Sequence, residues 1–157
     1  MGLDVNAYSG CVMVDGPEAA GRIVYIHESE WSSRMDGMEP GLYSFEESFS
    51  FRAGSYSWYN RWREWLAALV GKTPEEIWNA ENPEGPFTEL INFSDCEGTI
   101  GPKTSAKLLG DFEAFTARAE AFALELGPVQ GGHFVAVYNE FKKAFSLAAD
   151  GGFVVFC

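Results

Sequence analysis

An α+β fold, with helices packed on one face of a small antiparallel sheet, is predicted by three features of this 157-residue chain. Apolar residues recur at period two in the first third. From Trp58 onward the period lengthens to helical spacing. The closing run FVVFC is again continuously apolar. Strands first, helices next and one last strand argue for segregated layers rather than alternating parallel units. A chain of this length buries roughly 70% of the surface it exposes when unfolded, so one domain spanning 1–157 suffices. Thirteen Phe, six Tyr and five Trp supply the apolar payload in few residues.

The elements follow in order. Leu3, Val5, Ala7, Ser9, Cys11 and Met13 share one face, which predicts a half-buried strand. DGPEAAG, 15–21, is turn material, and RIVYIH, 22–27, is a second strand expected to pair back on the first as a hairpin. Residues 28–41 are polar and broken by Gly37, Pro40 and Gly41, hence loop. Tyr43, Phe45, Phe49 and Phe51 alternate with polar residues in a third strand with one wet face. Trp58, Trp62, Trp65, Leu66 and Leu69 then form a helical stripe, capped by Ser55 or Ser57 and ended by Gly71. TPEE, 73–76, starts a short helix, with Thr73 as cap, Pro74 at the first position and Glu76 closing a capping box. FTELINF, 87–93, fits either a strand or a helical turn. A long helix of about six turns is expected from Pro102, along Leu108, Phe112, Phe115, Ala119, Phe122 and Leu126, until Gly127–Pro128 stop it. GPVQGG, 127–132, reads as a helix–helix turn, followed by a helix from about His133 to Ala149 and the last strand. With helices on one face, the other face of the sheet needs cover from the 28–41 loop or from a partner.

The net charge of −12 is uneven. Residues 1–50 carry −7, residues 51–100 carry −4 and residues 101–157 carry −1. Such a field disfavours nucleic acid and anionic membrane, aids solubility and favours a basic partner. Three cysteines, Cys11, Cys96 and Cys157, form neither a metal spacing nor a disulfide framework. MGLDVNAY has no basic or apolar leader pattern, and no stretch reaches membrane-spanning length. A reduced, cytoplasmic protein is expected, with no cofactor and no metal.

NFSDCEGTIGPKTS, 92–105, is the most unusual stretch. Its structural reading is the start of the long helix, with Gly101 as cap, Pro102 at the first position and Asp95 and Glu97 folding back on the unpaired amides. A metal loop through Asp95 and Glu97 lacks the remaining ligands of a Ca²⁺ pattern. A nucleophilic Cys96 needs a base, the two histidines His27 and His133 are distant in sequence, and a thiolate would sit between two carboxylates. In RAGSYSWYNRWREW, 52–65, basic and aromatic residues interleave, a pattern that can bind single strands. The acidic total argues against that, and Arg61 and Arg63 read more simply as solvated or ion-paired. The same helix start can hold a polar or anionic small ligand through Tyr59, Asn60 and Arg61. GxSxG, P-loop, HExxH and dinucleotide fingerprints are absent from the sequence.

MGLDVNAYSG, FRAGSYSWYNRWREWLA and NFSDCEGTIGP together resemble a group of small proteins encoded by bacteriophages and prophage-bearing bacteria, over residues 1 to about 126. The resemblance implies a bacterial cytoplasm and a phage accessory role. It transfers no functional residue.

The leading expectation is an acidic, non-enzymatic binding protein. It would engage, and in one mode inhibit, a host defence or nucleic-acid-associated protein with a basic surface, through Glu28, Glu30, Asp36, Glu39, Glu46 and Glu47. The rival is a ligand pocket, binding or enzymatic, formed where Tyr59, Asn60 and Arg61 meet Asp95 and Glu97. A virion structural or assembly protein is the third reading, and it requires a large exposed apolar patch.

Overall fold

The computed structural model describes residues 1–16 and 22–157, so most of the turn expected at 15–21 lies outside the described residues. The strands are β1 (Gly2–Tyr8), β2 (Val12–Met13), β3 (Ile23–Ile26), β4 (Gly41–Ser44), β5 (Ser48–Ser55), β6 (Gly98–Ile100) and β7 (Phe153–Phe156). The helices are α1 (Tyr56–Leu69), α2 (Pro74–Trp78), α3 (Thr88–Ile91), α4 (Pro102–Ala114), α5 (Thr116–Leu126) and α6 (Pro128–Ala148), with a 3₁₀ turn at Ser32–Met35. The fold is α+β. A four-stranded antiparallel sheet in the order β5-β1-β7-β6 carries the helices on one face, and a three-stranded sheet in the order β2-β4-β3 stands apart from it.

Alternation sets the two faces of the large sheet. Leu3, Val5 and Ala7 of β1 point inward, and Val5 and Ala7 pair across to Phe156 and Val154 of β7. Against them α6 lays Phe134, Tyr138, Phe141 and Phe145, all fully buried. Trp62 of α1 stacks on Phe141 at 5.0 Å and donates its indole N–H to the Phe134 carbonyl at 3.2 Å. Phe112 of α4 packs on Tyr138 at 4.7 Å. Burial of these rings is the dominant favourable term of the fold.

On the outer face, Phe153 and Val155 of β7 join Tyr8 of β1. The small sheet and the 3₁₀ turn cover this part with Ile26, Met35 and Tyr43, and Tyr43 meets Phe153 edge-on at 4.9 Å. The rest of that face is polar, with Asp4 paired to Arg52 at 3.0 Å and Ser50 bonded to Asn6 at 2.6 Å. A large share of the cover thus comes from within the chain.

Several sequence expectations change. The first strand ends at Tyr8, because Gly10 adopts φ 57° and turns the chain, so Val12–Met13 belongs to the small sheet. The 22–27 strand pairs with β4 rather than with β1. The 43–51 strand is two strands in two sheets, parted at residues 45–47. The long helix breaks at Phe115. There the Phe112 carbonyl accepts from the Tyr138 hydroxyl at 2.6 Å and from the Thr116 hydroxyl at 2.8 Å, a competition that bends helices. The expected 127–132 turn is Gly127 alone, since Pro128 opens α6 and Gly131 lies within it. At Gly131 a Cβ would collide with the Ala123 carbonyl, so glycine is what lets α5 and α6 approach. FTELINF resolves as the one-turn helix α3.

The caps at Ser55 and Thr73 form as expected, the latter as a full capping box. The electrostatic cap of α4 does not come from Asp95 and Glu97. Asp36, which follows the 3₁₀ turn, accepts from the Thr104 amide at 2.7 Å and from the Thr104 hydroxyl at 2.9 Å, and the Gly101 amide donates to the Arg34 carbonyl at 2.7 Å. A loop 68 residues upstream thus satisfies the helix start. Asp36→Ala is expected to lower stability by about 1–2 kcal/mol, and Asp36→Asn, which keeps an acceptor and tolerates the left-handed φ of 56°, to lose less. Glu97→Ala is expected to change it by under about 0.5 kcal/mol. Urea midpoints check this ordering, and equal losses at 36 and 97 would contradict it.

Candidate functional site

Residues 91–97 leave helix α3 without entering a strand, so their backbone groups need partners from elsewhere. Arg63, on the buried side of α1 and only 6% exposed, supplies partners for two of the carbonyls. Its Nη1 donates to the carbonyls of Ile91 at 3.1 Å and Phe93 at 2.7 Å. Its Nη2 donates to the Asn60 side-chain oxygen, and Asn60 Nδ2 donates onward to Asp95 Oδ2 at 3.0 Å. The Trp78 indole gives the Ile91 carbonyl a second donor at 3.0 Å. The guanidinium lies 5.1 Å from the Tyr59 ring centre and 6.0 Å from that of Trp78. The result is a polar knot of Arg63, Asn60 and Asp95 against aromatic rings.

Ser94 completes the segment. Its hydroxyl accepts from the amides of Cys96 at 3.2 Å and Glu97 at 3.1 Å, a side-chain turn that aims Asp95 inward and leaves Cys96 and Glu97 exposed.

Of the predicted pocket, Asn60 and Asp95 meet directly, with Tyr59 close by. Tyr59 is fully buried in the core rather than lining an opening. Arg61 is exposed and makes no bond to Asp95; the guanidinium in the knot is that of Arg63. Glu97 faces another cavity, of about 400 Å³, which it lines with His27, Glu28, Cys96, Thr99, Val155 and Cys157. The signal for Arg63 was its place between Trp62 and Leu66, four residues after Tyr59, on the face α1 buries. A charge at such a position requires partners.

On the proposed partner surface, Glu28, Glu30, Glu39, Glu46 and Glu47 are exposed. Asp36 is half-buried and committed to capping α4, which removes it from that surface. No group of three or more His, Cys, Asp or Glu side chains among the described residues is arranged to hold a metal ion. No helix among them is long and apolar enough to cross a membrane. No protein-family model, curated protein or solved structure matches the chain.

Two buried phenols behave differently. The Tyr138 hydroxyl donates to the Phe112 carbonyl, whereas the Tyr59 hydroxyl has no partner among the described residues. Burial holds both phenols well above the ordinary tyrosine range; nearby Arg63 partly offsets this at Tyr59 and Asp95 reinforces it. Folded values above unfolded ones mean that the stability contribution is complete below about pH 10 and is lost as pH rises through the folded values. Tyr138→Phe is expected to cost about 1 kcal/mol, and Tyr59→Phe to be neutral or stabilising at neutral pH. Tyr59→Phe should also lessen the alkaline loss of stability. Denaturant titrations at neutral and alkaline pH test this, and equal costs for the two variants would contradict it.

Proposed function

We propose that this chain is an acidic, non-enzymatic binding protein that engages a partner protein with a basic surface. The observation that carries the reading is the division of its carboxylates. Asp36 and Asp95 are engaged in internal hydrogen bonds, and Asp4, Glu89 and Asp111 in ion pairs. Glu28, Glu30, Glu39, Glu46 and Glu47 are exposed and form no ion pair among the described residues. These five flank the small sheet. Glu28, Glu30 and Glu39 lie beyond the end where Ile26 pairs with Gly41, and Glu46 and Glu47 beyond the end where Ile23 pairs with Ser44. Unpaired exposed carboxylates cost little in the free protein and steer a basic partner into contact.

In the phage setting that the sequence resemblance implies, the partner is a host protein in the bacterial cytoplasm. Occupying a surface that otherwise contacts nucleic-acid phosphates would inhibit it. The polar knot supports a structural role for residues 91–97, because both Arg63 Nη atoms, Asn60 and Asp95 bond to one another and to backbone carbonyls, while Arg63 Nε has no partner among the described residues.

The test is native mass spectrometry of the tagged protein drawn gently from a bacterial lysate, beside a variant with Glu28, Glu30, Glu39, Glu46 and Glu47 changed to Lys. A stoichiometric basic protein on the parent, lost from the variant while its circular dichroism stays unchanged, is the expected outcome. A partner that survives the charge reversal, or a bare chain carrying a small-molecule mass, would overturn the reading.

A further inference from the structure

Two of the three cysteines, far apart in sequence, meet at one cavity. Cys96 lies in the turn before β6, and Cys157 follows β7. Both are exposed, and both line the same opening of about 400 Å³ on the outer side of the large sheet, over Thr99 and Val155. The β6–β7 ladder sets their spacing. Gly98 pairs with Phe156 as the last step of that ladder, so Cys96 stands two residues before the pair and Cys157 one residue after it, both at the same end. In a regular ladder successive side chains alternate faces. Here the Ser94 turn bends the chain, which is how Cys96 reaches the cavity that Cys157 also lines.

The backbone of Cys157 is held firmly. Its amide donates to the Asp4 carbonyl at 2.9 Å and its carbonyl accepts from the Asp4 amide at 2.8 Å. Its thiol accepts from Asn6 Nδ2 at 3.3 Å and donates to the Asp4 carbonyl at 3.7 Å, and forming a disulfide requires it to leave both for another side-chain rotamer. His27 lines the same opening. Cys11 stands apart. It is half-buried under the small sheet, and burial pushes its thiol up to about 11, leaving almost no thiolate at neutral pH.

We propose that Cys96 and Cys157 form a redox modification site, closed to an intramolecular disulfide by hydrogen peroxide. One thiol gives up its proton and its sulfur attacks the peroxide O–O bond, forming a sulfenic acid and releasing water. The second sulfur then displaces the sulfenic oxygen as a second water, with its own proton leaving alongside. The balance is two thiols and one peroxide to one disulfide and two waters. The bond would staple the 94–97 turn to the last strand. Exposed thiols of a reducing compartment act as reversible sensors in this way. The proposal stands independently of the acidic-surface reading.

The experiment treats the full chain with hydrogen peroxide, blocks remaining thiols and maps peptides without reduction. The expected product is a monomer lighter by two hydrogens, with Cys96 and Cys157 in one linked peptide pair. The link should be absent in C96S and in C157S and kept in C11S, and it should raise the thermal midpoint by several degrees. Separate sulfinic acids at 96 and 157, disulfide-linked dimers or a link to Cys11 would overturn the proposal. Dibromobimane, which fluoresces strongly once both of its arms are alkylated, tests proximity without an oxidant. The reduced parent and C11S should fluoresce and the 96 and 157 serine variants should not. A dark parent whose two thiols are each alkylated singly would also overturn it.

Discussion

The buried guanidinium of Arg63 is the constraint around which the helical side of the molecule is arranged. A cation on the inward face of a helix is costly by several kcal/mol unless its donors are satisfied. Here carbonyls of residues 91 and 93 accept from it, and Asn60 relays its charge toward Asp95. That requirement fixes where the chain runs after α3. It places Phe93 edge-on against Phe156 at 5.0 Å and beside Trp31 at 5.2 Å, and so sets the path by which β6 joins the sheet. Within the most unusual stretch of the sequence, side chains hold residues 92–97, whereas Gly98–Ile100 join the ladder as β6 and Pro102 opens α4.

A second long-range contact ties the outer layer to the helical layer. Asp36 ends the 3₁₀ turn that covers β7 and at the same time caps α4. The 3₁₀ turn is thus joined to the start of α4 by the Asp36 carboxylate and by the Arg34 carbonyl. The two contacts sort the acids of the chain. Some serve as internal acceptors, while those flanking the small sheet stay in water, where a field of one sign can act on another molecule.

Much of the fold is legible in the sequence because local rules govern it. Period-two runs, the Ser55 and Thr73 caps, Pro102 at a helix start and the buried last strand each follow from neighbours within a few residues. What is not legible depends on partners far along the chain. Arg61 and Arg63 look alike in sequence, and which one turns inward depends on the phase of α1. The stripe centres on Tyr59, Trp62 and Leu66 and not on Trp58 and Trp65, so Arg63 is buried and Arg61 is not. Asp36 and Thr104 carry no mutual signal at all. The break at Phe115 needs a hydroxyl from Tyr138, and the parting of residues 43–51 into two sheets needs the register of β1 and β3. Asn60, near the start of α1, meets Asp95 directly, and the guanidinium that bonds Asn60 belongs to Arg63, a residue that its sequence neighbours do not distinguish from Arg61.

The most direct measurement is hydrogen–deuterium exchange on Arg63→Met, which keeps the apolar stem and removes the donors. If Arg63 holds the 91–97 segment, exchange there should accelerate first and most, while β1, β5 and β7 keep their protection, and stability should fall by about 1–3 kcal/mol. A folded Arg63→Met chain with unchanged protection through 91–97 would contradict the account and return that segment to candidacy as a site with a purpose of its own.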